Sequence, residues 1–557
     1  MNSSRLKYEG WLYWLAFLIA LGFRLIQLGA LPLTDSEAAF ALQALHIAQG
    51  KSPMLGPQPA YILFTSIFFA VIEATNFMAR FVPAIVGSAL AFVPWFFREK
   101  IKPRPALILA FLFAFDPGLV ALSRQSSGTI LAVTFLLFAW AMWINQRTIP
   151  AGIFAGLALL SGPSIWAGLL TIGLTWLFLQ GMGSKPTTDQ SPVSNLQFLL
   201  IALLATLLFG GTLFLTAPNG LSAALASLPA YLSGWVSPSV MSPIRMLVTF
   251  LGYESLGIFL AILSLIRGFR TKSKRIIRLG LWMGVSFLLA IFYRQTSELA
   301  WVILPLLTLG ALELSRALDI YSDERIEVGV VILVTLILLI YIWFNVANIA
   351  LNPYSQAPAS MPIFGAVQNP RYVILYGASA MLIVCILMVA FGWSARTARL
   401  GATWSFTIFL GIYTLASAWG ASGLRTPNGV ELWTRDQAPV QADLLRASVD
   451  DASDLSLGHA QSQPVAVFGI NSPALEWILR NHEVEVVSAL DPQVAPPLVV
   501  TMPMDNLAFP SAYRGQDFTW RQPPLWEQVQ SFDWITWLIF RKLPLQNETI
   551  KIGRAHV

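Results

Sequence analysis

The segment PLTDSEAAFALQAL, residues 32–45, puts two carboxylates, Asp35 and Glu37, directly behind the first apolar run of the chain, Trp11 to Leu31. Thr34 followed three residues later by Glu37 fits a capping box, in which each side chain satisfies the other residue's backbone N–H. Asp35 in the first turn also complements the helix dipole. A helix is therefore expected over Ser36 to Gln49, with Gln43, His46 and Gln49 as a polar stripe at helical spacing. Residues two apart on a helix point to different sides, so the two acids need not face one partner.

The side of a membrane on which they lie follows from composition and charge. Of 557 residues 56% are hydrophobic and only 11% charged, with a mean hydropathy of +0.65, whereas soluble domains carry about a quarter charged residues. This is the composition of a polytopic, α-helical membrane protein. The first apolar run lacks an A-x-A-type cleavage site and reads as a retained span. The single cysteine, Cys385, excludes an intrachain disulfide and a thiolate metal cluster. The net charge of +6 does not mark a nucleic-acid partner, because the basic residues lie in short loops between apolar runs and report topology.

Arg5 and Lys7 put the N-terminus in the cytoplasm of a cell-membrane protein, and basic clusters at 98–104, 267–278 and 396–399 mark later cytoplasmic ends. Counting about 20 apolar residues per crossing gives about thirteen transmembrane helices. The acids then lie outside, in an external loop over 32–80. Within it, the short apolar segment Tyr61 to Ala74 is expected to lie at the outer interface. Asp116-Pro117 reads as an N-cap followed by proline at the first helical position.

A transmembrane domain over 1–424 gives way after Leu424 to a charged, proline-bearing region, 425–551, expected to be a small extracytoplasmic α/β domain. PVAVFGI, EVEVVSAL and PLVVTMP read as strands and SPALEWILRNH as a helix. The last residues, IGRAHV (552–557), resemble translated adapter read-through and are set aside.

Isolated arginines fall at the outer ends of the apolar runs: Arg80, Arg124, Arg245, Arg294 and Arg371. One such arginine snorkels to headgroups as a rule, but charges converging on one membrane edge define a functional site. Carboxylates beside cations suit deprotonation of an acceptor hydroxyl and release of a phosphate.

Arg24 at the end of the first run, the acidic motif, Pro59-x-Tyr61, ARFVPAIVGSALAFVPWFF (79–97) and FDPGLVALSRQSSG (115–128) follow in an order that resembles the GT-C class of membrane glycosyltransferases. The likeness is to protein O-mannosyltransferases and bacterial aminoarabinose-type transferases, which use polyprenyl-phosphate sugars. GYESLGIFLAIL (252–263), RQTSELAWVILPLL (294–307) and ALEWILR (474–480) are similar to later, less specific segments of that class.

The resemblance implies a GT-C-like fold and inverting sugar transfer at the extracytoplasmic face. It implies Asp35 as general base, with Glu37 orienting the acceptor, and Arg80, Arg124 and Arg294 on the donor phosphate. Arg245, Glu254 and Tyr61 follow as further substrate contacts. The partners implied are a polyprenyl-phosphate sugar, membrane lipids and an acceptor that is protein, lipid or glycan.

The acidic pair of the class is adjacent, whereas Ser36 separates it here, and Gln125 to Thr129 lack the acid often found after Ser-Arg. No metal site or other cofactor is read from the residues; a divalent ion is compatible with them, since hard cations need only oxygen ligands. The competing readings are a flippase or transporter of lipid-linked sugars, against which stands the lack of an internal repeat, and a catalytically silent partner in a glycosylation complex.

Overall fold

The structure, a computed structural model, describes residues 9–181, 193–237, 241–321, 324–351, 361–363, 366–368, 370–424, 431–433, 436–461, 463–487, 496–502, 515–524, 529–542 and 550–553. Among them seven helices are long and apolar enough to cross a membrane, or nine if two bent pairs count as single spans. That is fewer than the thirteen expected. Several apolar runs form helices of 10–17 residues, including Thr129–Ile144 and Thr148–Leu160, short of the ~20 residues of a full crossing.

Both bends have side-chain causes. Pro103–Phe115 and Pro117–Ser123 meet at 55°, where Asp116 accepts the Leu119 N–H at 2.9 Å and Pro117 has no N–H to lose. Pro243–Tyr253 and Ser255–Arg270 meet at 84°, with Glu254 at the joint. Asp116 and Glu254 are both buried and face each other across the two joints.

Four N-terminal helices position the site: α1 (Glu9–Leu25), α2 (Asp35–Ala48), α3 (Pro59–Val71) and α4 (Asn76–Ala89). Helix α2 starts and stops one residue from its expected limits, and its capping box is present: Glu37 N–H to Thr34 Oγ1 at 3.4 Å and Thr34 N–H to Glu37 Oε2 at 3.1 Å. Arg24, fully buried in the last turn of α1, donates to Ser123 Oγ at 3.0 Å and to the carbonyls of Ala114 and Phe113 at 2.8 and 3.1 Å. It ties α1 to the bend at Asp116. Gly87 of α4 lies where a Cβ would overlap the Ser123 hydroxyl, so this crossing requires glycine. Helix α3 is too short for a full crossing; it buries Pro59 to Leu63, Thr65, Ser66 and Phe69 against the protein and leaves Ile67 and Val71 exposed.

Two short strands, β1 (Met361–Ile363) and β2 (Ala366–Gln368), pair antiparallel. A five-stranded sheet then forms from β3 (Val465–Phe468), β4 (Val484–Val487), β5 (Leu498–Thr501), β6 (Asp517–Arg521) and β7 (Ile550–Gly553), in the order β4-β3-β5-β7-β6. Strands β3, β4 and β5 run parallel, and β7 is antiparallel to both neighbours. The three strands and the helix read from the sequence are found, the helix shortened to Pro473–Ile478. Ile552 and Gly553, set aside above, pair with Phe518 and Asp517 and belong to the sheet, while 554–557 and the boundary residues 425–430 lie outside the described residues.

Candidate functional site

The capping box brings Glu37 to Arg80 of α4. Arg80 Nε donates to Glu37 Oε1 at 2.8 Å and Nη2 to Oε2 at 2.7 Å, a two-pronged pair with both side chains 8% exposed. Ser126 N–H adds a third bond to Oε1 at 3.0 Å. Burial pushes the Glu37 carboxyl up, but the charge and hydrogen bonds of Arg80 and two backbone N–H groups outweigh it and hold the group below the usual carboxylate range. The remaining Arg80 donors go to the carbonyls of Leu28, Leu31 and Pro32 at 3.2, 2.8 and 3.1 Å. Arg80 is thus a clamp on the chain between α1 and α2, its donors engaged by Glu37 and by three backbone carbonyls.

Arg124 is spent in the same way. It donates to the carbonyls of Phe23, Arg24, Ile26 and Gln27 at 3.1, 3.0, 2.9 and 3.3 Å, satisfying carbonyls orphaned at the C-terminal end of α1. Tyr61 is buried, its hydroxyl donating to the Ala79 carbonyl at 2.8 Å. Glu254 sits at the helix joint with Asp116. None of these three lines the cavity described below.

Asp35, one helical step from the cavity, points the other way. Its Oδ1 accepts from Ser472 Oγ at 2.5 Å and from the Ala474 N–H at 3.0 Å, and its Oδ2 pairs with Arg521. It therefore caps the helix Pro473–Ile478 of the α/β domain. That helix also reaches α4 and its approach, through Trp477 Nε1 to Asn76 Oδ1 at 2.8 Å and Arg480 Nε to the Ala74 carbonyl at 3.0 Å. Asp35, expected as the base, is not among the residues lining the cavity below; its carboxylate joins α2 to the α/β segment.

The cavity, of about 390 Å³, lies beside α2 and is lined by Ser36, Glu37 and Phe40 of that helix. Gln58, Gln125, Ser126, Ser127, Ser161 and Ser164 add amides and hydroxyls, while Arg245, Tyr293, Arg294, Thr296, Glu298 and Trp433 form further walls. Of the eight residues expected at the site, it gathers Glu37, Arg245 and Arg294. Arg245 stands in a helical first turn capped by Ser242, which accepts its N–H at 3.3 Å. Arg294 ends the helix Lys274–Tyr293 in the left-handed region, φ 58 and ψ 35. This costs a non-glycine residue about 1–2 kcal/mol, and it turns the chain so that Thr296 to Glu298 re-enter beside the arginines.

Two wall residues escaped the sequence reading. Glu298 is buried, its Oε2 accepting from Ser164 Oγ at 3.1 Å; in the sequence it ends the polar stretch Arg294 to Glu298 ahead of an apolar run. Trp433 comes from the segment after the last span. It is 2% exposed and fixed through its carbonyl, which accepts from Gln125 Nε2 at 3.1 Å and Thr296 Oγ1 at 3.4 Å. Among the described residues no group of three or more His, Cys, Asp or Glu is arranged to hold a metal ion.

Two crystal structures share this architecture. ArnT from Cupriavidus metallidurans aligns in its apo state with a TM-score of 0.50 and, bound to undecaprenyl phosphate, with 0.51. Each is 16% identical, over 89% of this chain and 93% of the other. The fold expected from the sequence resemblance is therefore the fold found. No protein-family model matches the chain, and no curated protein matches it significantly.

Proposed function

We propose that this chain is an integral membrane glycosyltransferase that moves a sugar from a polyprenyl-phosphate donor to an acceptor hydroxyl at the extracytoplasmic face. The observation that carries the reading is one cavity that combines two arginines, two carboxylates and a lining of hydroxyls and amides, in a fold shared with a protein crystallised with undecaprenyl phosphate. The topology read from Arg5, Lys7 and the basic loops puts this end of the molecule outside.

In this reading Arg245 and Arg294 hold the donor phosphate. A guanidinium fork pairs with two phosphate oxygens, and fixed positive charge stabilises the negative charge that grows on the phosphate as the glycosidic bond breaks. Neutral hydroxyls and amides suit a polyhydroxylated ring, which trades hydrogen bonds with water for hydrogen bonds with the wall. A direct displacement by the acceptor inverts the anomeric centre. Glu37, locked on Arg80, shapes one wall and keeps its charge. Asp35 acts as base only if its pair with Arg521 opens, so its standing role is to seat the α/β domain on α2.

Binding of undecaprenyl phosphate to the purified protein in lipid nanodiscs tests the donor site. Arg245→Ala and Arg294→Ala should each weaken binding about tenfold, the loss of one charge-assisted contact. Wild-type protein that does not bind this lipid, or binding indifferent to both substitutions, would remove the donor site.

A further inference from the structure

We infer that Glu298 is the group that takes the proton from the acceptor hydroxyl; the inference rests on the transferase reading above. A general base needs a carboxylate that faces the reacting atoms and is not already saturated with donors. Asp35 lines no part of the cavity and is capped by Ser472, Ala474 and Arg521. Glu37 lines it, but accepts from both prongs of Arg80, from Thr34 and from Ser126. A proton arriving there would have to break a two-pronged buried ion pair.

Glu298 is the third carboxylate. It lines the same cavity, is 6% exposed, and accepts from Ser164 Oγ at 3.1 Å, with the Trp301 indole as a second neighbouring donor. That hydroxyl is itself oriented: Trp301 Nε1 donates to Ser164 Oγ at 3.2 Å and to its carbonyl at 3.1 Å, leaving the hydroxyl hydrogen for Glu298. No ion pair to Glu298 is found among the described residues, whereas Glu37 has one. Arg294 stands four residues earlier in the same turn, and Arg245 lines the same enclosure. One small space thus holds cations for a leaving phosphate and a carboxylate with spare lone pairs.

The acceptor oxygen forms a bond to the anomeric carbon, its proton passes to a Glu298 oxygen, and the bond between that carbon and the phosphate oxygen breaks. The electron pair of that bond leaves on polyprenyl phosphate, and the proton later passes from Glu298 to water. Ser164 and Trp301 act as positioning residues, fixing the carboxylate orientation.

The test uses purified protein in lipid, a panel of polyprenyl-phosphate sugars and release of polyprenyl phosphate as the readout. Glu298→Gln keeps shape and can still accept from Ser164, so its thermal midpoint and its affinity for undecaprenyl phosphate should stay near wild type while kcat falls about 10²–10³-fold. Added formate should restore part of the rate to Glu298→Ala, by supplying a carboxylate to the space left, and none to Glu298→Gln. A merely structural Glu298 would not give that rescue. Wild-type turnover in Glu298→Gln, or a folded Glu298→Ala that formate does not restore, overturns the inference and leaves the transferase reading standing. Wild-type protein that cleaves no donor removes both.

Discussion

The start of α2 and the turn after Arg294 each bring acid to the same cavity, and they use it in opposite ways. On α2, Asp35 and Glu37 are saturated: one by Ser472, Ala474 and Arg521, the other by Thr34, Arg80 and Ser126. In the turn, Glu298 is buried with Ser164 as its hydrogen-bond donor. A saturated carboxylate holds a structure together, because any proton it takes costs the bonds it already has. A sparsely bonded one is available for chemistry. In the proposed reading, the acids most conspicuous in the sequence hold structure and Glu298 carries the chemistry.

The largest expected effect tests the architectural half. Arg80→Ala leaves Glu37 as an uncompensated buried charge and should cost about 3–5 kcal/mol, seen as a collapse of folded yield or thermal midpoint in mild detergent. Adding Glu37→Gln to Arg80→Ala should recover much of that loss, because no charge is then left unpaired. A well-folded Arg80→Ala protein with only weaker donor binding would reverse the comparison and return Arg80 to the ligand.

Next is Arg124→Ala, which removes four contacts to carbonyls at the end of α1. Charge-assisted bonds at a partly exposed position predict about 1–2 kcal/mol, and lysine should rescue little because one ammonium cannot span four carbonyls. Affinity for undecaprenyl phosphate should follow Arg245 and Arg294 and be unmoved by Arg124→Ala. A tenfold loss of affinity there would put Arg124 back on the donor.

A pH titration sharpens the same contrast. The Glu37 carboxyl is held below its ordinary range by Arg80 in the folded state. Its stabilisation is therefore fully present above the unfolded value of about 4.3 and is lost as pH falls through the lower folded value. Thermal midpoints measured from pH 7 to 3 should drop at the acid end in wild type, and drop less in Glu37→Gln. Equal acid sensitivity in the two proteins would deny the pair its structural role.

The smallest effect belongs to the domain contact. Asp35 and Arg521 are each about a quarter exposed, so Arg521→Ala should cost about 1 kcal/mol or less. It should show as faster amide exchange confined to the helix Pro473–Ile478. A global loss of stability would make this contact as architectural as the Arg80 clamp.

Much of the local structure was legible in the sequence. The Thr34–Glu37 box, the Asp116 cap and strands β3 to β5 each rest on residues within a few positions of one another, so spacing alone predicts them. The divergence of Asp35 from Glu37 followed from helical geometry. What escaped depends on long-range contact. Arg80 binds carbonyls about fifty residues earlier and Arg124 about a hundred earlier, and a carbonyl left orphaned by a helix end has no sequence signature. Glu298 was hidden inside a segment read only for its resemblance, and Trp433 inside a charged linker. Helix length was not legible either: among the described residues seven to nine helices reach crossing length and several apolar runs fold as helices of 10–17 residues, a limit that apolar composition alone does not reveal.

Turnover measured in sealed vesicles tests the central claim most directly: protein reconstituted with a panel of polyprenyl-phosphate sugars, and both lipid phosphate release and lipid-linked sugar movement followed. The expected result is cleavage of at least one donor, with polyprenyl phosphate and transferred or hydrolysed sugar appearing in equal amounts and the rate collapsing in Glu298→Gln. Intact lipid-linked sugar crossing the bilayer with no bond broken would contradict it and make the cavity a passage for a carrier.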